Sequence, residues 1–187
     1  ALYPLYLTPN AVHTIGDNNT FSGDGIYITP NTYNHTTEQT WYPQTIAYVI
    51  DGIVDVESST GSGAILTIAA GTNFKFKSGG GIRIASNHPA TFKAVGTSTN
   101  PIVFTSSLAT PQPGNWKFVR FDSYLNANSE LNYCNFSYGG SDTYYKGLVT
   151  IGTTTNLTVQ NCSFSNSQRY GLYNLSLIHI SEPTRPY

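Results

Sequence analysis

Two arginines occupy matching places in short apolar runs: Arg83 in Gly81-Ile82-Arg83-Ile84 and Arg120 in Phe118-Val119-Arg120-Phe121. In an extended chain the apolar neighbours point one way and the arginines the other. The two are therefore expected to stack on an outer face, with Lys117 beside them and Lys75 and Lys77 flanking the preceding run. A basic stripe of this kind suits an acidic polysaccharide, because a guanidinium presents paired N–H donors to a carboxylate. The competing reading is a solvated face that discourages unwanted strand pairing.

A second candidate is the loop Tyr138–Lys146, which brings Tyr144 and Tyr145 together with Asp142 and Lys146. Exposed tyrosine rings offer an apolar face for a sugar and a polar tip for a hydrogen bond. The alternative is a loop whose tyrosines pack on the coil beneath. Trp116 follows a Pro-Gly turn and reads as packing.

Other chemistry is thinly supplied. The acids Asp51, Asp55, Glu57, Asp122, Glu130 and Asp142 are spread along the chain. Glycoside hydrolysis needs a carboxylate pair about 5–9.5 Å apart, and turn formation accounts for most of these aspartates. No catalytic residue is assigned. His13, His35 and His88 fall in loops with no visible triad partner, and no alternating-Asp calcium loop is present. No cofactor and no metal site is implied. Cys134 and Cys162 lie in matching places 28 residues apart. They read as inward neighbours on adjacent coils, either as buried thiols that pack as small hydrophobes or as a disulfide, since stacked strands about 4.8 Å apart fall within bridging reach. Sequons at Asn18, Asn34, Asn135, Asn156 and Asn161 are frequent in so Asn- and Thr-rich a chain and mark turns or strand ends.

The elements that must position these residues repeat. Phe76, Phe104, Phe136 and Phe164 each close an apolar-x-apolar strand, at steps of 28, 32 and 28 residues. Flanking columns hold Leu66/Ile68, Phe92/Ala94, Leu131 and Leu157/Val159 on one side, and Ile82/Ile84, Val119/Phe121, Val149/Ile151 and Leu172 on the other. Period-2 alternation and Gly/Asn turns disfavour helical repeats, the competing solenoid. A single coil cannot bury its own apolar face, so coils must stack. The expected fold is all-β, a right-handed parallel β-helix with three short strands per coil of about 28 residues. A Greek-key sandwich is the alternative, but it would not explain equal columns. The four phenylalanines are expected to align along one axis, and Ile26 to Ile82, 56 residues apart, suggests two further periods. Residues 29–47 read as loop, so the division is 1–47 irregular coils, 48–174 regular coils and 175–187 a tail.

Composition agrees. With 187 residues there is enough chain for one sizeable core. Charged residues make up only 10% and net charge is −1, which argues against a nucleic-acid partner. No apolar run reaches the roughly 20 residues of a membrane span. The chain begins at Ala1 and has no Met, so it is expected to be a piece of a longer protein.

The runs ILTIAAGTNFKFKSGGGIRI, FKAVGTSTNPIVFTSS, PGNW, FVRF and LNYCNFSYGG resemble secreted bacterial right-handed β-helix proteins of the pectate-lyase-like superfamily. The likeness covers about residues 40–174. It implies an exported or surface module with a structural, adhesive or glycan-contacting role, whose partners would be a polysaccharide or cell-surface glycan and the neighbouring coils of the full chain. The alternative is a polysaccharide lyase or hydrolase whose catalytic coils are incomplete here. The last stretch, LSLIHISEPTRPY, resembles the translation of a sequencing-library adapter, so His179, Glu182 and Arg185 receive no role.

Overall fold

The computed structural model describes residues 2–152 and 157–175. Most of the stretch read as a non-native tail, and the sequon at Asn156, lie outside them. Leu175 is described, and its N–H still donates to the Ile151 carbonyl at 2.8 Å.

The chain opens with β1 (Leu5–Leu7), a 3-10 helix (Pro9–Ile15), β2 (Ile26–Ile28) and β3 (Thr32–Tyr33). Four coils of three strands follow. They are β4 (Gln39–Trp41), β5 (Tyr48–Ile50) and β6 (Ile53–Val56), then β7 (Ala64–Ile68), β8 (Asn73–Phe76) and β9 (Gly81–Ile84). Next come β10 (Ala90–Val95), β11 (Ile102–Ser106) and β12 (Val119–Phe121), then β13 (Ser129–Asn132), β14 (Cys134–Ser137) and β15 (Gly147–Ile151). A last turn holds β16 (Leu157–Gln160), β17 (Ser163–Ser165) and β18 (Tyr170–Asn174).

Among the described residues these strands form three sheets of seven, six and five strands. Every pairing is parallel, between strands of successive coils. Backbone hydrogen bonds therefore run along the axis of the solenoid and each coil satisfies its neighbours. This is the right-handed parallel β-helix expected from the repeat, and it excludes the sandwich.

Two columns stand as read. Phe92 and Ala94 sit over Leu66 and Ile68, with Leu131 and Val159 beyond. Val119 and Phe121 sit over Ile82 and Ile84, with Val149 and Leu172 beyond. The phenylalanine column is corrected by two residues: Phe104 pairs with Phe74, not Phe76. The continuous stack is Tyr48, Phe74, Phe104, Phe136 and Phe164, with ring centroids 5.7, 5.1, 4.6 and 5.4 Å apart. Asn73-Phe74-Lys75-Phe76 offers two inward aromatics, and the length of the loop before β11 selects the first. Phe76 heads a parallel column over Ile50 and is followed there by Ser106. The small serine leaves room for Trp116, which stacks on Phe76 at 4.4 Å and is fully buried. Its Nε1–H donates to the Ser137 carbonyl at 2.8 Å, and a Cβ at Gly139 would lie 2.5 Å from its ring.

Two further expectations change. Ile26 belongs to the seven-stranded sheet and Ile82 to the six-stranded one, so their 56-residue spacing is not a column. The stretch read as loop, 29–47, carries β3 and β4, whose Tyr33 and Trp41 are fully buried. Corners also repeat. Tyr133 and Asn161, then Tyr138 and Asn166, take φ of 49, 50, 63 and 49°. These single left-handed residues turn the chain between sheets, a role that asparagine tolerates best, and they set the 28-residue step between the last two coils.

Phe104 is fully buried between two stacked rings. Phe104→Ala is expected to cost about 3–5 kcal/mol, whereas Phe164→Ala, at the half-buried end of the stack, should cost clearly less. Urea denaturation of both variants checks the gradient.

Candidate functional site

The outward positions of the six-stranded sheet form one column: Thr32, Asp55, Arg83, Arg120, Thr150 and Tyr173. Arg83 and Arg120 are stacked neighbours, as their places in the sequence require. Each is held by an acid. Arg83 donates from Nε and Nη2 to the two oxygens of Asp55 at 2.5 and 3.0 Å. Arg120 donates to Oδ1 of Asp122, from Nε at 2.8 Å and from Nη2 at 2.6 Å.

The loop after β14 folds over this pair. Tyr145 lays its ring 3.5 Å from the Arg120 guanidinium carbon and packs edge-on against Phe118. Asp142 accepts the backbone N–H groups of Tyr144 and Tyr145 at 2.9 and 2.8 Å, which makes it the turn-former that aims the rings. Tyr144 is left 72% exposed. The structure thus gathers Arg120, Tyr144, Tyr145 and Asp142, with Arg83 one rung away. Lys117 stands apart from the column, on the half-buried segment before β12, where its N–H donates to the Gly80 carbonyl.

Asp122 is the unusual acid here. It is buried, and among the described residues its Oδ2 has no partner within hydrogen-bond geometry. Burial pushes its carboxyl above the usual range, against the pull of Arg120 and Arg83. Asp55 and the Asp142 carboxylate are taken up by the contacts above, and Glu57 accepts from Asn87 and His88. Among the described residues no three His, Cys, Asp or Glu side chains cluster as metal ligands would.

A second face shows more open surface. On the outer side of the seven-stranded sheet, Tyr6, Tyr27, Val49, Lys75 and Thr105 are in register. Tyr6 is 67% exposed and lies flat on Tyr27, centroids 4.4 Å apart and planes 8° apart. Tyr3 meets Tyr27 edge-on at 5.2 Å. The Tyr27 hydroxyl donates to Asp51 Oδ2 at 3.0 Å, and Lys77 Nζ reaches the same oxygen at 3.0 Å while lying 5.1 Å from the Tyr27 ring centre. Beside this cluster runs a groove of about 540 Å³ bordered by Tyr3, Asp24, Val49, Lys75 and Lys77. It continues past Gly23 and Lys75 into a second hollow of about 330 Å³ reaching Asn73, Val103 and Thr105. Lys75 is exposed at the junction.

The sequence reading missed Tyr6 and Tyr27. The signal was present, since Leu5-Tyr6-Leu7 and Ile26-Tyr27-Ile28 both alternate inward apolar with outward tyrosine. Their pairing was hidden because the first coil takes a shorter step than the rest and detours through the 3-10 helix.

A family model described as "Pectate-lyase like beta helix domain" matches residues 34–149. No curated protein matches the chain, and no solved structure does. Among the described residues no helix is long and apolar enough to cross a membrane.

The tyrosines give this architecture an alkaline limit. Burial, and then the hydrogen bond to Asp51, pushes Tyr27 up to about 12, and burial pushes Tyr48 to about 12. Both values lie above the roughly 10 of an unfolded tyrosine. Their contribution is therefore full below pH ~10 and is lost as pH rises toward 12. Urea midpoints are expected to hold up to about pH 10 and then fall, with a shallower fall in Tyr27→Phe. A midpoint that is flat up to pH ~12 would contradict the assignment.

Proposed function

Because the chain belongs to the pectate-lyase-like β-helix domain family, we propose that it is a rigid module of a secreted or cell-surface protein that contacts glycan through the outer face of its seven-stranded sheet. The observation that carries this reading is the Tyr6–Tyr27 stack, joined to the Lys75-lined groove through Tyr3, which packs edge-on against Tyr27 and borders the groove. A sugar ring presents C–H groups that pack on a tyrosine face, and the phenol tip supplies a hydrogen bond. An exposed lysine adds attraction for a carboxylated sugar without fixing its geometry. The Arg120–Tyr145 cluster, with Arg83, Tyr144, Asp142 and the more distant Lys117, is a second contact face in this reading. It is weaker because Asp55 and Asp122 already occupy its guanidinium groups and pairing consumes the donors a ligand would use.

The second reading is polysaccharide cleavage. The observation in its favour is Asp122, a carboxyl beside Arg120 that burial raises above its ordinary value, the direction in which general acids are tuned. Loss of a measurable cleavage activity in Asp122→Asn, with folding intact, would support it.

The binding reading is tested with a glycan array followed by calorimetry on acidic and neutral oligosaccharides. Tyr6→Ala is expected to weaken binding about tenfold, the worth of one ring contact of about 1.4 kcal/mol. Lys75→Ala should weaken only acidic ligands. Binding unchanged by both substitutions, or silence across the array, defeats the proposal.

A further inference from the structure

We propose that Cys134 and Cys162 form a cross-linking site, at which oxidation creates a disulfide that staples two consecutive coils from inside the solenoid. The inference is independent of glycan contact.

The register places the pair. Asn135 is the partner of Ser163, so the residues just before them, Cys134 and Cys162, stand on adjacent rungs. Rungs about 4.8 Å apart lie within the 4.4–6.8 Å that bridged Cα atoms span. The same corner of the coil holds both sulfurs. Cys134 Sγ lies 3.3 Å from the Ala94 carbonyl oxygen, and Cys162 Sγ lies 3.5 Å from that of Leu131. Ala94 and Leu131 are themselves partners one rung apart, so the sulfurs repeat that offset. Both cysteines are free in this structure.

Their surroundings divide the labour. Cys134 is fully buried, whereas Cys162 is half-buried. The neighbouring thiol, and then burial, raises Cys134, and the same neighbour lowers Cys162. Because it is the more accessible of the two, Cys162 is the attacking thiolate and Cys134 the resolving thiol. With a small disulfide such as glutathione disulfide as oxidant, Cys162 Sγ attacks one sulfur, the S–S bond breaks, and one glutathione leaves as thiolate. Cys134 then attacks Cys162 Sγ and expels the second glutathione, which leaves with the Cys134 proton. Two protein thiols are oxidised to one disulfide and one glutathione disulfide is reduced to two thiols.

The experiment treats the whole 187-residue chain with glutathione disulfide at pH ~8. It reads intact mass, thiols after unfolding and a non-reducing peptide map. Expected are a mass loss of two hydrogens, no residual thiol, a linked peptide containing both cysteines and, for a 28-residue loop, a rise in Tm of roughly 5–15 °C reversed by reductant. Cys134→Ala should instead stop at a stable glutathione adduct on Cys162. Should that variant fail to fold, the mass and map of the unaltered chain decide. A lasting adduct on Cys162 with Cys134 still free, two unreacted thiols, or a link between two chains would each overturn the proposal.

Discussion

Everything in this molecule depends on parallel, in-register contact between successive coils. Among the described residues no coil contains a hydrogen-bonded strand pair of its own, since each strand finds its partners in the turns before and after it. The same register brings like side chains together, and the result is the ladder of rings from Tyr48 to Phe164. Apolar burial and backbone pairing are thus one event here, and neither is available to an isolated coil. Outward residues inherit the order imposed within. Asp55 meets Arg83 because Val54 and Val56 sit on Ile82 and Ile84, and Tyr6 meets Tyr27 because Leu5 and Leu7 sit on Ile26 and Ile28.

This coupling explains what could be read beforehand. Alternation within Gly81-Ile82-Arg83-Ile84 and Phe118-Val119-Arg120-Phe121 fixes which side chains face inward, and two of three columns followed from it without error. Alternation does not fix where one coil ends and the next begins. In Asn73-Phe74-Lys75-Phe76 either aromatic satisfies the pattern, and only the loop leading to β11 decides between them. Likewise Ile26 and Ile82 sit in similar tetrapeptides but in different sheets, because inward-outward alternation is the same on all three walls. The strands within 29–47 escaped notice because two or three residues carry too little periodicity. Trp41 and Tyr33 anchor them through burial, a tertiary effect that local pattern does not record.

The candidate surfaces were legible to different degrees for the same reason. The arginine pair lies in the regular coils, so its stacking was foreseen. Its neutralisation by Asp55 and Asp122 was not, because the first partner comes from the coil below and the second from the strand's own exit. The tyrosine platform lies in the shorter first coils, where spacing gives no guide. Asp142 shows the opposite case. Its place in a Tyr-rich loop suggested ligand contact, while its carboxylate in fact caps the backbone of the two tyrosines it was grouped with.

Because the interstrand hydrogen bonds point along the solenoid axis, the molecule is mechanically anisotropic. Tension along that axis loads successive coil-to-coil junctions in series, so the weakest one yields first and detaches a whole turn. Force applied across the axis instead acts along the strands and loads many bonds of a sheet together in shear. A protein of this build is expected to yield more readily to lengthwise pulling than to sideways drag.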